Sequence, residues 1–364
     1  MVVFQALTWE ARDGEDEHLI SIFGKTGDGK SVCLTTAFTP YFFIKLPTGI
    51  DSQKVQRIYN ILGDKCKDSL VAYSLMKSKD VWGFQNNEEF AYMKINFKDL
   101  QARRLVDSFL RRPLDRTPEL FELFGVRNVK VYESNLDPVL RLMHRTGIQS
   151  TGWLDSGEKC VRSHLANVDI DLFCNDWTTL KPVARDDIAP FVVASVDIEC
   201  NSSTGKFPDA NIPGDACFQI AISLCKFGSD EPYDKTCLCY KQTDPILEGC
   251  DIRSYATERE MLEAFQKYLH KKDVDIITGW NIFGFDMEYI YKRAQINRCH
   301  YDFYNLGKLK DTDSELVIKK LSSSALGDNL LKLLPMSGRF IFDLFHEVKK
   351  GYKLDSYKLD SVSK

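Results

Sequence analysis

Short apolar runs with polar residues between them dominate the first 190 positions. HLISIFG and SVCLTT flank the loop GKTGDGKS at 24–31, and YFFIKLP follows Pro40. Alternation with β-branched and aromatic residues predicts strands. The spacing turns helical in FKDLQARRLVDSFLRR at 98–113, where Leu100, Leu105, Phe109 and Leu110 are expected to form one apolar face. A second helix is predicted in DPVLRLMHRTG, with Asp137 able to cap it and Pro138 in its first turn. The proline- and charge-containing segment KPVARDDIAP at 181–190 is read as a domain boundary, dividing the chain into 1–190 and 191–364.

Beyond 190, FVVASVDIEC reads as a strand ending in acids, and ACFQIAISLCKF as its antiparallel neighbour. TEREMLEAFQKYLHKK predicts a helix capped by Thr257, with Glu260 closing a capping box and Leu262, Phe265 and Leu269 buried. DVDIITGWN is a short buried strand, and GFDMEYIYKRAQI a helix with Phe285, Tyr289 and Ile290 on one side. GRFIFDLFHEV joins a strand to the start of a helix. Strands alternating with helices imply a sheet covered by helices, with an antiparallel pair at its start.

GKTGDGKS satisfies the pattern of a phosphate-binding loop through Gly24, Gly29, Lys30 and Ser31. Such a loop needs a helix N-terminus behind it to face the anion. Val32, Cys33, Leu34, Thr35 and Thr36 are strand formers instead, so a hairpin turn is expected, with an ATPase as the remote alternative.

The balance of 48 basic against 52 acidic residues, net −4, argues against a surface positive all over but leaves room for nucleic acid in one groove. Arg103, Arg104, Arg111, Arg112 and Arg116 form the densest basic run, either a solvated helix surface or a phosphate contact. The amino terminus shows no basic-then-apolar leader, so secretion is not expected. The 11 cysteines are then expected as free thiols, and Cys237-x-Cys239 has no second pair at zinc-ribbon spacing. No apolar stretch is long enough to span a membrane.

Asp197 and Glu199 stand at i and i+2 of a strand, so their carboxylates share one face. Two acids held this close repel each other unless a proton or a cation shares the site; otherwise they are simply solvated at the strand end. Magnesium or manganese, which take oxygen ligands, would relieve the repulsion. Asp286 lies where the next strand–loop segment enters its helix, facing the crevice beyond the strand ends. Asn281 is placed to fix the loop or hold substrate, and Phe285 to serve as core or as a wedge under a base. Three converging acids suit two-metal hydrolysis of a phosphodiester.

These segments resemble the amino-terminal part of a family B DNA polymerase, in the branch of eukaryotic delta-type and large DNA virus enzymes. SVDIEC resembles the first motif of the family's 3′→5′ proofreading exonuclease, and DVDIITGWNIFGFD the second. FPDA at 207–210, CFQIAISL and GRFIFDLFHEVKKGYKLDSYKL follow the family's intervening and downstream stretches. FGKTGDGKSVCLTTAFTPYFFIKLP and FELFGVRNVKVYESNLDPVLRLMHRTGI resemble its amino-terminal domain, so the likeness covers nearly the whole chain. It implies an α/β and α+β architecture: a strand-rich amino-terminal domain over 1–190, then a ribonuclease H-like exonuclease domain over 191–364, with a mixed sheet flanked by helices.

By the same resemblance Asp197, Glu199 and Asp286 would be catalytic metal ligands for two Mg²⁺ or Mn²⁺ ions. Asn281 and Phe285 would position substrate, while Asp343 would be structural and His346 satisfied within the fold. The full enzyme would extend primers on DNA and excise mispaired 3′ nucleotides from single-stranded ends. A processivity factor or other replication proteins would join it, in the nucleus or at a viral replication site, with no membrane. The family's third motif, Tyr-x-x-x-Asp, is not met: Tyr352 is followed four places on by Ser356, and Tyr357 by Ser361. The chain is therefore expected to stop before the last acid and the polymerase domain, and to have weak nuclease activity or none. The alternative from another class is a noncatalytic module that holds strands in an exonuclease-like fold.

Overall fold

A computed structural model describes residues 1–15, 17–66, 69–244, 248–323 and 327–363. Its strands form sheets of seven, six and four strands and a separate two-stranded hairpin, Val317–Ser323 with Gly327–Leu333.

The seven-stranded sheet is built around Val3–Asp13, His18–Lys25 and Ser31–Ala37, three successive antiparallel strands. The last two are joined by the phosphate-loop-like segment, which is a hairpin turn. The Thr26 N–H donates to the Lys30 carbonyl at 2.9 Å, the Gly29 N–H to the Thr26 carbonyl at 3.0 Å, and the Lys30 N–H to Thr26 Oγ1 at 2.9 Å. Ser31 opens a strand, so no helix N-terminus faces the loop. Gly24 has a packing reason: a Cβ there would sit 1.9 Å from the Gln5 carbonyl oxygen on the neighbouring strand.

The four-stranded sheet takes Tyr41–Lys45, Leu70–Ser78, Phe90–Phe97 and Val131–Tyr132, with the helices Ser52–Cys66, Leu100–Leu110 and Pro118–Phe124 between them. Helix Leu100–Leu110 differs from expectation. Its buried stripe is Ala102, Val106 and Leu110, four residues apart, with Arg103 beside them; Leu105 is 51% exposed. The stripe is set by which side meets the sheet and the neighbouring helix, and the sequence offers apolar residues on more than one side. Arg103 donates to the Leu136 carbonyl at 2.7 Å and is buried, so it belongs neither to a solvated surface nor to a phosphate site. Helix Pro138–Thr146 begins as expected, with the Asp137 carboxylate accepting from the Val139 and Leu140 N–H groups.

The six-stranded sheet has the spatial order Asp251–Tyr255, Asp234–Tyr240, Cys217–Lys226, Val192–Cys200, Ile276–Gly279, Phe340–Asp343. Val192–Cys200 is central, antiparallel to Cys217–Lys226 and parallel to Ile276–Gly279. The alternation along it buries Val196 and Ile198 and exposes Asp197 and Glu199. Helix Glu258–Lys271 carries the full capping box of Thr257 and Glu260, and buries Leu262, Phe265 and Leu269. The strands Asp234–Tyr240 and Asp251–Tyr255 and the hairpin over 317–333 were not expected from the pattern.

The two large sheets are tied by buried charge. Lys25, from the hairpin, places Nζ 2.5 Å from Asp275 Oδ2 and 3.1 Å from Asp273 Oδ2. Lys308 lies 2.5 Å from Asp275 Oδ1 and 2.9 Å from Asp273 Oδ1. The segment at 181–190 is packed down: Trp153 Nε1 donates to the Asp187 carbonyl, Arg185 stacks over the Trp153 ring, and Ala189 packs beside Phe191 and Ile276. All eleven cysteines are free thiols.

Candidate active site

Parallel pairing between Val192–Cys200 and Ile276–Gly279 ends at Ser195 opposite Thr278. Beyond that point the two strands diverge, leaving backbone groups of the acidic strand open to whatever fills the gap. Gly279 permits the divergence at close range, since a Cβ there would lie 2.4 Å from the Val196 carbonyl oxygen. The chain then turns through Asn281, whose φ of 60° is left-handed, a conformation that asparagine tolerates better than most side chains. The Asn281 carbonyl accepts from the N–H groups of Gly284 and Phe285, and helix Asp286–Ile296 begins directly after.

The loop is held from below by Asp343, a buried side chain at the end of its strand. Its Oδ1 accepts from the Asn281 N–H at 2.8 Å and its Oδ2 from the Phe283 N–H at 2.9 Å. Oδ1 also caps the next helix through the Phe345 N–H at 3.0 Å. His346 Nε2 stands 3.9 Å from the Asp343 carboxylate and its ring stacks on Phe283. Both oxygens of Asp343 thus hold backbone, a structural duty.

Asp286 is buried, and its carboxylate accepts from its own N–H and from that of Ile198, the residue between the two strand acids. Burial is the largest influence on it and the nearby Asp197 carboxylate the next, pushing Asp286 up to about 7; the two N–H groups oppose this and Asp343 adds to it. Asp197 and Glu199 face a cleft of about 710 Å³ lined also by Ser195, Trp280, Leu344 and Leu359. Neither has a hydrogen-bond or ion-pair partner among the described residues.

The structure therefore brings Asp286 to Asp197, and places Glu199 beside Asp197 on the cleft wall. It does not gather all three about one point: among the described residues no three Asp, Glu, His or Cys side chains are close enough to hold one ion. Unpartnered carboxylates, with a repelling pair in which one acid is forced towards its protonated form, nevertheless suit a hard divalent cation. Asn281 and Phe285 are not among the residues lining that cleft; they lie in the turn that leads into the helix begun by Asp286. The Asn281 side-chain amide has no hydrogen bond among the described residues. Phe285 is half-buried, with its ring centroid 4.9 Å from Tyr289 and 5.3 Å from the exposed Phe207. Trp280, Leu344 and Leu359 were not singled out in the sequence; only the adjacency of Trp280 to Asn281 pointed towards it.

Comparison with known proteins agrees with the motifs. Residues 129–362 match the family profile described as DNA polymerase family B, exonuclease domain. The DNA polymerase of Paramecium bursaria Chlorella virus NY2A is 30% identical over 375 residues, covering 100% of this chain and 39% of that protein. The DNA polymerase delta catalytic subunit of Arabidopsis thaliana is 30% identical over 362 residues, covering 95% of this chain and 32% of the relative. A solved structure of the family B DNA polymerase from the hyperthermophilic archaeon Pyrobaculum calidifontis aligns with a TM-score of 0.63 at 19% identity, over 100% of this chain and 39% of that one, a likeness of fold. The chain thus spans well under half the length of these relatives. It belongs to the family B DNA polymerases, whose exonuclease domain it carries.

Proposed function

We propose that residues 191–364 form a 3′→5′ exonuclease domain acting on single-stranded DNA ends, and residues 1–190 an amino-terminal domain that supports it. The observation that carries this reading is the pair of unpartnered acids on the cleft wall, with the buried Asp286 crowded against one of them. Asp197, Glu199 and Asp286 would hold divalent cations, Mg²⁺ or Mn²⁺. Bound there, such ions supply an acidified water and stabilise the departing 3′ oxygen. The Asn281 amide, free of protein partners, would donate to a phosphate or base of the entering strand. Phe285 and Phe207 would form an aromatic edge against which the terminal base is turned. Trp280, at the cleft, would limit it to an unpaired end, which reaches the acids without further melting. Asp286, crowded by Asp197, would lose its proton as the cation enters.

In the setting implied by the relatives' names, the domain would proofread for a DNA polymerase. Primer–template DNA would then be its substrate and a processivity factor its partner, in the nucleus or at a viral replication site. No helix among the described residues is long and apolar enough to cross a membrane.

The test is release of nucleotide from a 5′-labelled single strand with and without Mg²⁺, comparing the chain with Asp197→Ala combined with Glu199→Ala. Metal-dependent shortening from the 3′ end that the variant lacks supports the reading. Strand binding that ignores both metal and substitution, with no shortening, would instead establish a noncatalytic strand-holding module.

A further inference from the structure

We propose that Arg293 is a positioning residue for the exonuclease reaction, a role that rests on the function proposed above: its buried guanidinium fixes the loop 201–216 so that Phe207 stands beside Phe285 to receive the terminal base. This loop joins the acidic strand Val192–Cys200 to its antiparallel neighbour Cys217–Lys226, and is far longer than an ordinary hairpin connection. Phe207 is 77% exposed, yet the chain on either side of it is tied down. The buried Asp215 accepts from the Ser203 N–H at 2.7 Å and the Ser203 hydroxyl at 2.5 Å through Oδ1, and from the Asp209 N–H at 3.0 Å through Oδ2. An exposed ring is thus held between two anchored points, edge-on to Phe285.

The loop takes its position from the helix that Asp286 begins. Arg293, 2% exposed, donates to the carbonyls of Ala210 at 3.2 Å and Ile212 at 2.9 Å through Nη1, and to that of Pro213 at 3.2 Å through Nη2. Its Nε and Nη2 also hold the Glu258 carboxylate at 2.8 and 2.5 Å, so all five donors of the guanidinium are used. Glu258 in turn accepts from the Cys217 N–H at 2.9 Å, where the loop re-enters the sheet. One turn earlier on the helix, the Tyr289 hydroxyl donates to the Asp215 carbonyl at 2.8 Å. Asp286, Tyr289 and Arg293 stand at i, i+3 and i+7, one face of the helix. The element that presents the buried acid therefore also sets the ring that meets the base. A lysine would keep the charge opposite Glu258, but its compact ammonium cannot span a carboxylate and three carbonyls.

The experiment uses the whole chain and a single DNA strand ending in 2-aminopurine, whose fluorescence reports the stacking of the 3′ base. Binding is read in EDTA and shortening in Mg²⁺. Phe207→Ala, an exposed change, should abolish the fluorescence change on binding and lower kcat about tenfold. Arg293→Lys and Tyr289→Phe should move both readouts the same way with KM within about twofold, because the strand still binds with its last base misplaced. In Phe207→Ala combined with Arg293→Lys, kcat should fall no further than in the worse single variant. A residue that only stabilises the fold would add its loss to that of Phe207, and additive losses would overturn the inference. If Arg293→Lys fails to fold, Tyr289→Phe, which removes one hydroxyl, decides alone. A wild type whose terminal fluorescence is unchanged on binding would overturn the inference. So would shortening that is lost in Asp197→Ala with Glu199→Ala but kept at the wild-type rate in Arg293→Lys and Tyr289→Phe, and that result leaves the exonuclease function standing. Fluorescence that depends on Phe207 and Arg293 without any shortening would instead overturn the exonuclease function and sustain the hold of Arg293 on the loop.

Discussion

The buried charges joining the amino-terminal hairpin to the exonuclease sheet make a prediction with an internal control. Lys25, Lys308 and Arg339 contribute three cations, and Asp273 and Asp275 two acids. Arg339 is buried, donates to the carbonyls of Leu306 and Val274, and is drawn down by its burial to about 10 against the pull of Asp273 and Asp275. Replacing Lys25 by Met keeps an apolar stem in the same space and leaves two cations facing two acids, so the cost should be only about 1–2 kcal/mol. Replacing Asp275 by Ala leaves three cations with one acid and also removes the acceptor of the Val192 N–H, a 2.8 Å bond at the start of the strand that carries Asp197 and Glu199. Stranding buried charge costs about 3–5 kcal/mol, and the orphaned N–H about 1 more.

At about 2 °C per kcal/mol for a chain of this size, melting should fall by about 2–4 °C for Lys25→Met and by about 8–12 °C for Asp275→Ala. Differential scanning calorimetry at neutral pH reads both. Equal losses, or a larger one for Lys25→Met, would refute the charge balance. The pH dependence follows from the directions. Burial alone would lower Lys25, but Asp275 and Asp273 outweigh it and hold it above 10.5, so its contribution is complete below that value and lost as pH rises through the higher folded one. Burial alone would raise Asp273, but Lys308 and Lys25 outweigh it and hold it below 3.8; its contribution is complete above that value and fades in stronger acid. The gap between wild type and Lys25→Met should therefore stay level from about pH 5 to about pH 9.

The site and its supports yield three more. Asp286 binds its proton more tightly folded, near 7, than its ordinary 3.8, so without metal the protein should gain about 1.4 kcal/mol from this group between about pH 8 and about pH 6. Asp286→Asn should abolish that gain, and melts in EDTA showing the same pH slope in both proteins would contradict the raising of Asp286 by its burial and by Asp197. Asp343→Ala removes the acceptor of three backbone N–H groups and should cost about 3 kcal/mol. Hydrogen exchange should then speed up at the amides of Asn281 and Phe283, and protection as in wild type would show the loop to be held otherwise. Lys30→Ala should shift stability by less than about 0.5 kcal/mol and leave ATP binding at background, because the ammonium is 60% exposed on a hairpin turn. ATP binding by the wild type, lost in this variant, would restore the phosphate loop.

The features legible in the sequence were those decided within a few residues. Strand period alone put Asp197 and Glu199 on one face, and the strand formers after Ser31 disqualified a complete phosphate-loop pattern. The capping box of Thr257 and Glu260 needed only four consecutive positions. Helix Leu100–Leu110 marks the limit of local reading: apolar residues occur on more than one side, and the neighbouring helix and sheet decide that Val106 is buried and Leu105 is not. Lys25 was hidden more deeply, since its partner Asp275 lies 250 residues away and nothing near either residue announces a pair. The distance between Asp286 and the strand acids is of the same kind. The motif specifies which acids are present, but where Asp286 sits depends on the loop that leads to it, and that loop is fixed by Asp343 reaching up from a different strand. A carboxylate that touches no substrate thus sets the geometry of those that would.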